Sequence, residues 1–419
     1  MSLILTHTHR RTTVSKRFTH FSCHVAVSLL VSGAMNCSAA DFSVNGFASL
    51  GIGKTLGEDE RFTANLSRGG VYDNELSFRP DTIFGFQVTT DLGDGLEARV
   101  QTTADANLGF DPTFEWAYLS YELSKHSTIH LGRKRAPIFM YSDSLDVGYT
   151  YQWVRPPTDF YSSLIDNYEG LSFLYKRPVG NWFLTSQIGY GRNQDEIELF
   201  SNLPSQKIDS QDIVTIDARL SLDWLTLRAG HYSSTTSAPK LSQNDINAFL
   251  SRFIVTAGPQ QIDLLANLSE EEKLGLLVQD VKFEFNSLGL SLDKANVIVV
   301  AEFAKADFSF SRIDPFEAYY YTLGYRIKGV LTPSFTYSKV KDDPGAHDVV
   351  GRLGPLPAPA VAAVNGFLGT DLDRKSQIFS LRYDFHNAAA LKLEYVHQEN
   401  DAPGGLKSES FVAAVDIAF

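Results

Sequence analysis

The residues best able to do chemistry gather where "GRKRAP" runs on into "MYSDSLDVGYTYQWVRPPTDFY". Arg133 stands in the basic run, Asp143, Asp146 and Asp159 follow, and Arg155 comes just before Pro156-Pro157. Charges of both signs this close in sequence must sit near one level of whatever holds them. In a narrow aqueous space between low-dielectric walls they are screened less than on an open surface, so a field persists across the gap. The histidines His126, His130, His231, His347, His386 and His397 are scattered without metal-ligand spacing. Asp143 and Asp146 lack the Asp/Asn series and glycine of an EF-hand. Neither a G-x-S-x-G elbow nor a Cys/His pair occurs. The expectation is a protein that is not an enzyme and uses no cofactor or metal. Phe139, Tyr141, Tyr149, Tyr151, Trp153, Phe160 and Tyr161 crowd the same segment. They could stack on a sugar or aromatic solute, but the plainer reading is that they anchor the segment to a wall or belong to an interfacial girdle.

Composition narrows what could position these groups. The chain has 419 residues, 29 Phe, 18 Tyr, 3 Met and 2 Cys, and a net charge of −12. It has no apolar run of the ~18 residues that a membrane helix needs. Residues 1–40 carry Arg10, Arg11, Lys16 and Arg17 and no acid, then the short apolar "HVAVSLLVSGAMNCSAA", with the small residues Ser38 and Ala40 before Asp41. This is the pattern of a cleaved signal peptide, which leaves 41–419 as the mature domain. Both cysteines, Cys23 and Cys37, leave with it, and the net charge moves from −12 to −16 because four cations are lost (−12 − 4). An acidic chain lacks the basic footprint of nucleic-acid binding. It leans weakly toward passing cations, although charge facing a lumen, not total charge, decides that.

From Asp41 onward the pattern alternates with period two. Phe42, Val44, Ala48, Leu50 and Ile52 share one face, with Ser43, Asn45 and Ser49 on the other. Leu96, Ala98 and Val100 alternate with Glu97, Arg99 and Gln101, whose burial in a dry core would cost several kcal/mol each. Gly93-Asp94-Gly95 is a hairpin turn, and six further hairpins follow. With a first and a last strand the expected total is sixteen. Turns within hairpins are short, whereas most connections between them, near 54–76, 135–167, 192–211, 234–279 and 342–374, are long. Short turns alternating with long loops are the pattern of an all-β transmembrane antiparallel barrel with long extracellular loops. In the 234–279 loop, Ile262, Leu265, Leu268 and Leu274–Leu276 have helical spacing and predict a short surface helix. The final "FVAAVDIAF" alternates up to Phe419 and predicts a closing strand against Phe42–Gly53.

At "DTIFGFQVTTDLGDGLEA", "AYLSYELSKHSTIHLGRKRAP" and the terminal aromatic, the chain resembles Gram-negative outer-membrane porins, and its segment "MYSDSLDVGYTYQWVRPP" resembles a marine proteobacterial subgroup of them. The resemblance implies a water-filled channel for passive diffusion of ions and small hydrophilic solutes in the cell outer membrane. It implies contact with outer-membrane lipid and lipopolysaccharide, a homotrimer, and a terminal Phe419 read by the barrel-assembly machinery. It further implies that the third outside loop, 135–167, folds inward and sets acids against basic wall residues. Carried onto this chain, the constriction is Asp143, Asp146 and Asp159 facing Arg133, Arg155 and Arg99. The acidic "PEFGG"-like stretch of enterobacterial porins is missing, and Thr82-Ile83 stand where the family has a wall arginine. Two rival readings remain. One is a substrate-specific channel for sugars or other nutrients. The other is a receptor or adhesin barrel acting through its 234–279 and 342–374 loops.

Overall fold

Strands rich in Phe, Tyr, Val and Leu on one face and in Ser, Thr and charge on the other can bury their apolar faces inward or turn them outward. The computed structural model describes residues 41–162, 166–197, 206–237, 247, 254–257, 260–263, 268–309, 311, 314–343, 372–402 and 405–419. Sixteen of its strands close into one antiparallel barrel. They are β1 (Phe42–Thr55), β2 (Ile83–Gly93), β3 (Leu96–Asp105), β4 (Pro112–Ser124), β5 (Ser127–Arg135), β6 (Asn167–Val179), β7 (Trp182–Asn193) and β8 (Asp209–Leu222). The series continues with β9 (Leu225–Ser237), β10 (Val281–Lys294), β11 (Val297–Phe308), β12 (Phe316–Tyr325), β13 (Leu331–Asp342), β14 (Asp373–His386), β15 (Ala389–Asn400) and β16 (Lys407–Ala418).

The barrel is inside out. Leu288 is 60% exposed and Leu323 59%, while Lys392 is wholly buried. Along β12 the exposed Tyr319, Tyr321, Leu323 and Tyr325 alternate with the buried Ala318, Tyr320 and Thr322. The apolar set therefore faces outward and the polar set faces the lumen. A sheet satisfies every backbone donor and acceptor in hydrocarbon, which cannot supply hydrogen bonds, only if it closes. No helix among the described residues is long and apolar enough to cross a membrane.

Closure is made by β1 and β16, in register from Phe47↔Ala418 to Thr55↔Ser410. Phe419 extends that ladder by one step. Its N–H donates to the Gly46 carbonyl at 2.9 Å, and the Gly46 N–H donates back at 2.7 Å. The phenyl ring lies over Gly46, where an added Cβ would stand 2.3 Å from it. The connection between β3 and β4 is short, unlike the neighbouring loops, and turns through positive φ at Gly109 and Phe110. The helix expected over Ile262 to Leu276 is confined to Glu270–Gly275, closed by a capping box between Ser269 and Glu272. Gln260–Asp263, which contains Ile262, is instead a strand paired with Ile254–Ala257. The spacing of apolar residues was helical, but a local hairpin took its first turn.

The closing contact is testable. Gly46→Val forces the Phe419 ring aside and costs about 1–3 kcal/mol of overpacking strain. The measurement is the fraction of barrel that resists unfolding in detergent before heating. A Gly46→Val protein with as much folded barrel as the parent contradicts the contact. Deleting Phe419 is expected to lower the amount inserted while leaving the conductance of inserted barrels unchanged.

Candidate functional site

The third outside loop, described over 136–162 and at 166, leaves the end of β5 and enters the lumen. A loop carries backbone groups without a ladder, and each needs a partner once buried. The facing wall supplies them. Ser287 on β10 donates to the Ile138 carbonyl at 3.1 Å, and Arg228 on β9 donates to the Pro137 carbonyl. Glu302 on β11 accepts from the Met140 N–H at 2.8 Å, from Tyr320 at 2.7 Å, and from the Tyr161 hydroxyl. Arg382 on β14 donates to the Tyr149 and Tyr151 carbonyls at 2.7 and 2.8 Å. Glu394 on β15 accepts from the Val154 N–H at 3.0 Å.

Lys392, also on β15, is the deepest anchor. Its ammonium donates to the Gly148 carbonyl at 2.5 Å and the Trp153 carbonyl at 2.6 Å, and pairs with Asp416 on β16 at 2.8 Å. Gly148 has no room for a side chain, since a Cβ would meet Asp416 at 2.4 Å and Ser49 at 2.5 Å. The loop aromatics finish the packing. Phe139, Tyr151, Trp153 and Phe160 are buried, and the Trp153 indole donates to Thr336 at 2.7 Å. Phe139, Phe160 and Tyr161 form one cluster with Tyr320 and Phe285.

The six charged positions expected at the constriction fall in different places. Asp146 pairs with Arg135 at 2.7 Å and with Arg68 from the first outside loop at 3.0 Å. Arg68 and Arg135 also hold Glu115 at 2.9 and 2.8 Å. Asp166 lies beside this cluster, where desolvation outweighs the pull of Arg135 and Arg68 and pushes its carboxyl up to about 6. Asp159 accepts from Ser338 at 2.6 Å, Arg374 at 2.5 Å and Gln398 at 3.2 Å. Arg155 is not a wall residue. It belongs to the loop itself and pairs with Asp81 at 2.5 Å and Glu394 at 3.2 Å. These three side chains fasten the loop to the wall.

Arg133 needs a larger correction. It alternates with the outward Leu131, bonds the Phe114 carbonyl at 2.8 Å, and pairs with Glu169 and, at 2.8 Å, Asp195. In a strand, neighbours point to opposite faces. The lumen therefore receives His130 and Lys134, and Arg133 faces outward, away from the passage. Asp143 and Arg99 do face open space. Asp143 is 58% exposed and lies 3.7 Å from Arg219 on β8, and Arg99 pairs with Glu97 at 2.8 Å.

That space has a volume of about 870 Å³ and runs along β3–β9 down to the turn at Asp91–Gly95. Its other side is the end of β5 at Arg135 and the third loop at Pro137 and Asp143. The space is thus off-centre, because most wall groups that bond the loop backbone lie on β10–β16, while the opposite half holds the loop at Arg135, Arg219 and Arg228. Sequence reasoning missed Lys134, Arg219, Glu302 and Lys392. The signal for the last two was present as charges set among apolar residues, in "VIVVAEFAKA" and "ALKLEYVHQ".

A closed barrel with an apolar outer face, a polar lumen and a loop bonded across that lumen is an aqueous channel of an outer membrane. A family described as Gram-negative porin matches residues 25–403, and the chain belongs to it. Solved structures of similar fold include an OmpT of Vibrio cholerae lacking loop L8, at 12% identity, covering 91% of this chain and 100% of that one with a TM-score of 0.53. The outer membrane channel DcaP of Acinetobacter baumannii is 13% identical, covering 91% and 97% with a TM-score of 0.53. In-vitro folded OmpT in its trimer form is 11% identical, covering 90% and 99% with a TM-score of 0.51. At these identities the likeness shows the fold. No curated protein sequence matches the chain. The protein is an outer-membrane porin that lets small solutes diffuse passively, and porins are channels whose fold does not ordinarily carry catalysis.

The Lys392 anchor has a measurable consequence. Lys392→Met leaves Asp416 buried without its cation, at a cost of about 3–5 kcal/mol. It also frees the Gly148 and Trp153 carbonyls. We expect a lower urea midpoint and a larger, noisier single-channel conductance, with the midpoint partly restored by adding Asp416→Asn. Unchanged conductance in a folded Lys392→Met barrel contradicts the anchor.

Proposed function

We propose that passage through this porin is controlled where Asp143 on the third loop faces the wall carrying Arg99 and Arg219. The supporting observation is the open space itself. It lies between the loop and β3–β9, while Asp146, Asp159 and Arg155 are spent on buried pairs elsewhere. Size is limited by the loop, and the field between Asp143 and the facing cations biases which ions enter.

In the same reading the chain is exported by residues 1–40 and the mature domain begins at Asp41. Phe419 serves as part of the assembly signal taken up by the barrel-assembly machinery, and the apolar outer face meets lipid and lipopolysaccharide. The functional unit is a homotrimer, a state named for the similar in-vitro folded OmpT of Vibrio cholerae.

Reversal potentials across planar bilayers in a salt gradient test the constriction. Asp143→Asn is expected to move the reversal potential toward anion preference and Arg219→Gln toward cation preference. Arg133→Gln, an outward residue, is expected to move it little. A shift in Arg133→Gln as large as in the other two, or none in any, overturns this assignment.

A further inference from the structure

The constriction proposed above has a charge balance of its own, and the inference drawn here rests on that reading. Most charges around the passage are cancelled locally. Arg99 is matched by Glu97 at 2.8 Å, and Arg219 by Asp217 at 2.9 Å and Asp143 at 3.7 Å. Arg135 is matched twice, by Glu115 and Asp146. Asp217 is shared with the buried Arg228 at 2.6 Å. Lys134 differs. Among the described residues no carboxylate lies within ion-pair distance of it. Its ammonium instead donates to the Gln187 side-chain oxygen at 2.8 Å and meets the His130 ring nitrogen at 3.0 Å.

Those partners are buried, so the ammonium is held in place. The ammonium nitrogen lies 5.6 Å from the centroid of the buried Tyr118 ring, and the Arg99 guanidinium carbon lies 5.9 Å from the same centroid. Tyr118 therefore spaces two ordered cations along one wall of the passage. An ammonium has three donors, and two of Lys134's are taken. Arg99 spends only part of its five-donor fork on Glu97. Asp91, Asp94 and Glu122 also line this space, but they are exposed near the turns, where bulk salt screens them, and the exposed Lys176 stands among them.

We propose that Lys134, with Arg99, makes this an anion-preferring passage with a weak subsite for the carboxylate of a small hydrophilic solute. A planar carboxylate accepts from an ammonium on one side and a guanidinium on the other. The acidity of the whole chain does not oppose this, because outward and rim charges contribute little to the field at the narrow level.

The test uses the full chain in planar bilayers, with folding of each variant checked by heat-dependent migration. In a potassium chloride gradient the parent is expected to reverse with the sign of chloride preference. Lys134→Gln is expected to lower the chloride-to-potassium permeability ratio about fivefold, and Lys134→Glu to invert it. Sodium gluconate added at constant chloride is expected to reduce the chloride current more than glucose does, with that difference smaller in Lys134→Gln. Lys305→Gln, which removes an outward cation, is expected to behave as the parent. Cation preference in the parent, equal block by gluconate and glucose, or a folded Lys134→Gln indistinguishable from the parent overturns the proposal and leaves the diffusion-channel reading standing. A folded barrel with no conductance overturns both.

Discussion

Hydrocarbon offers no hydrogen bonds, and the rest of this structure depends on that constraint. A strand edge left open in lipid would expose a row of unpaired backbone groups, each costing several kcal/mol, so β1 must meet β16. Once the sheet closes, the period of two puts apolar side chains outside and polar ones inside. Sixteen strands then enclose a lumen too wide for wall side chains to fill. The third loop takes up that space, and its irregular backbone brings the same problem indoors. Lys392, Arg382, Glu302 and Glu394 solve it by acting as wall-mounted partners for loop carbonyls and N–H groups. Buried lysines and glutamates are tolerable there because each is paired or multiply hydrogen-bonded.

The placement of those partners makes the channel asymmetric. They lie on β10–β16, so the loop is drawn to that half of the barrel, and the passage is left along β3–β9. Two populations of charge result. One is buried and structural, as in Arg155 with Asp81 and Glu394, or Asp159 with Arg374. The other faces water, as in Asp143, Arg99, Arg219 and Lys134. The first sets where the loop sits, and the second is the set we propose governs what passes beside it.

The barrel was legible in the sequence because its cause is local. Alternation and short turns repeat in every hairpin, and the strand count, the closing pair and the inward polar face of β3 all follow from them. The constriction was legible only as a region. Asp146 and Asp143 stand three residues apart in one segment, yet one is buried against Arg135 and the other faces open space. Their fates depend on the path of a loop that touches walls more than 150 residues away in sequence, as Met140 does at Glu302. Arg133 was misplaced for a simpler reason. A "GR" pair marks a strand end without fixing which face the arginine takes, and one step of register exchanges Arg133 for Lys134. The helix over Ile262 fell to a competing hairpin, which apolar spacing alone does not distinguish.

The central claim is that the third loop seals one half of the lumen and leaves the passage along the other. Single cysteines on the two walls, in a chain with Cys23 and Cys37 replaced by serine, test it directly by single-channel recording with a charged thiol reagent. Ser120 on β4 lines the open space, whereas Ser338 on β13 is fully buried beneath the loop. The account predicts a stepwise change of conductance when Ser120→Cys is labelled and none with Ser338→Cys. Labelling that changes conductance at Ser338→Cys while leaving Ser120→Cys untouched would contradict it.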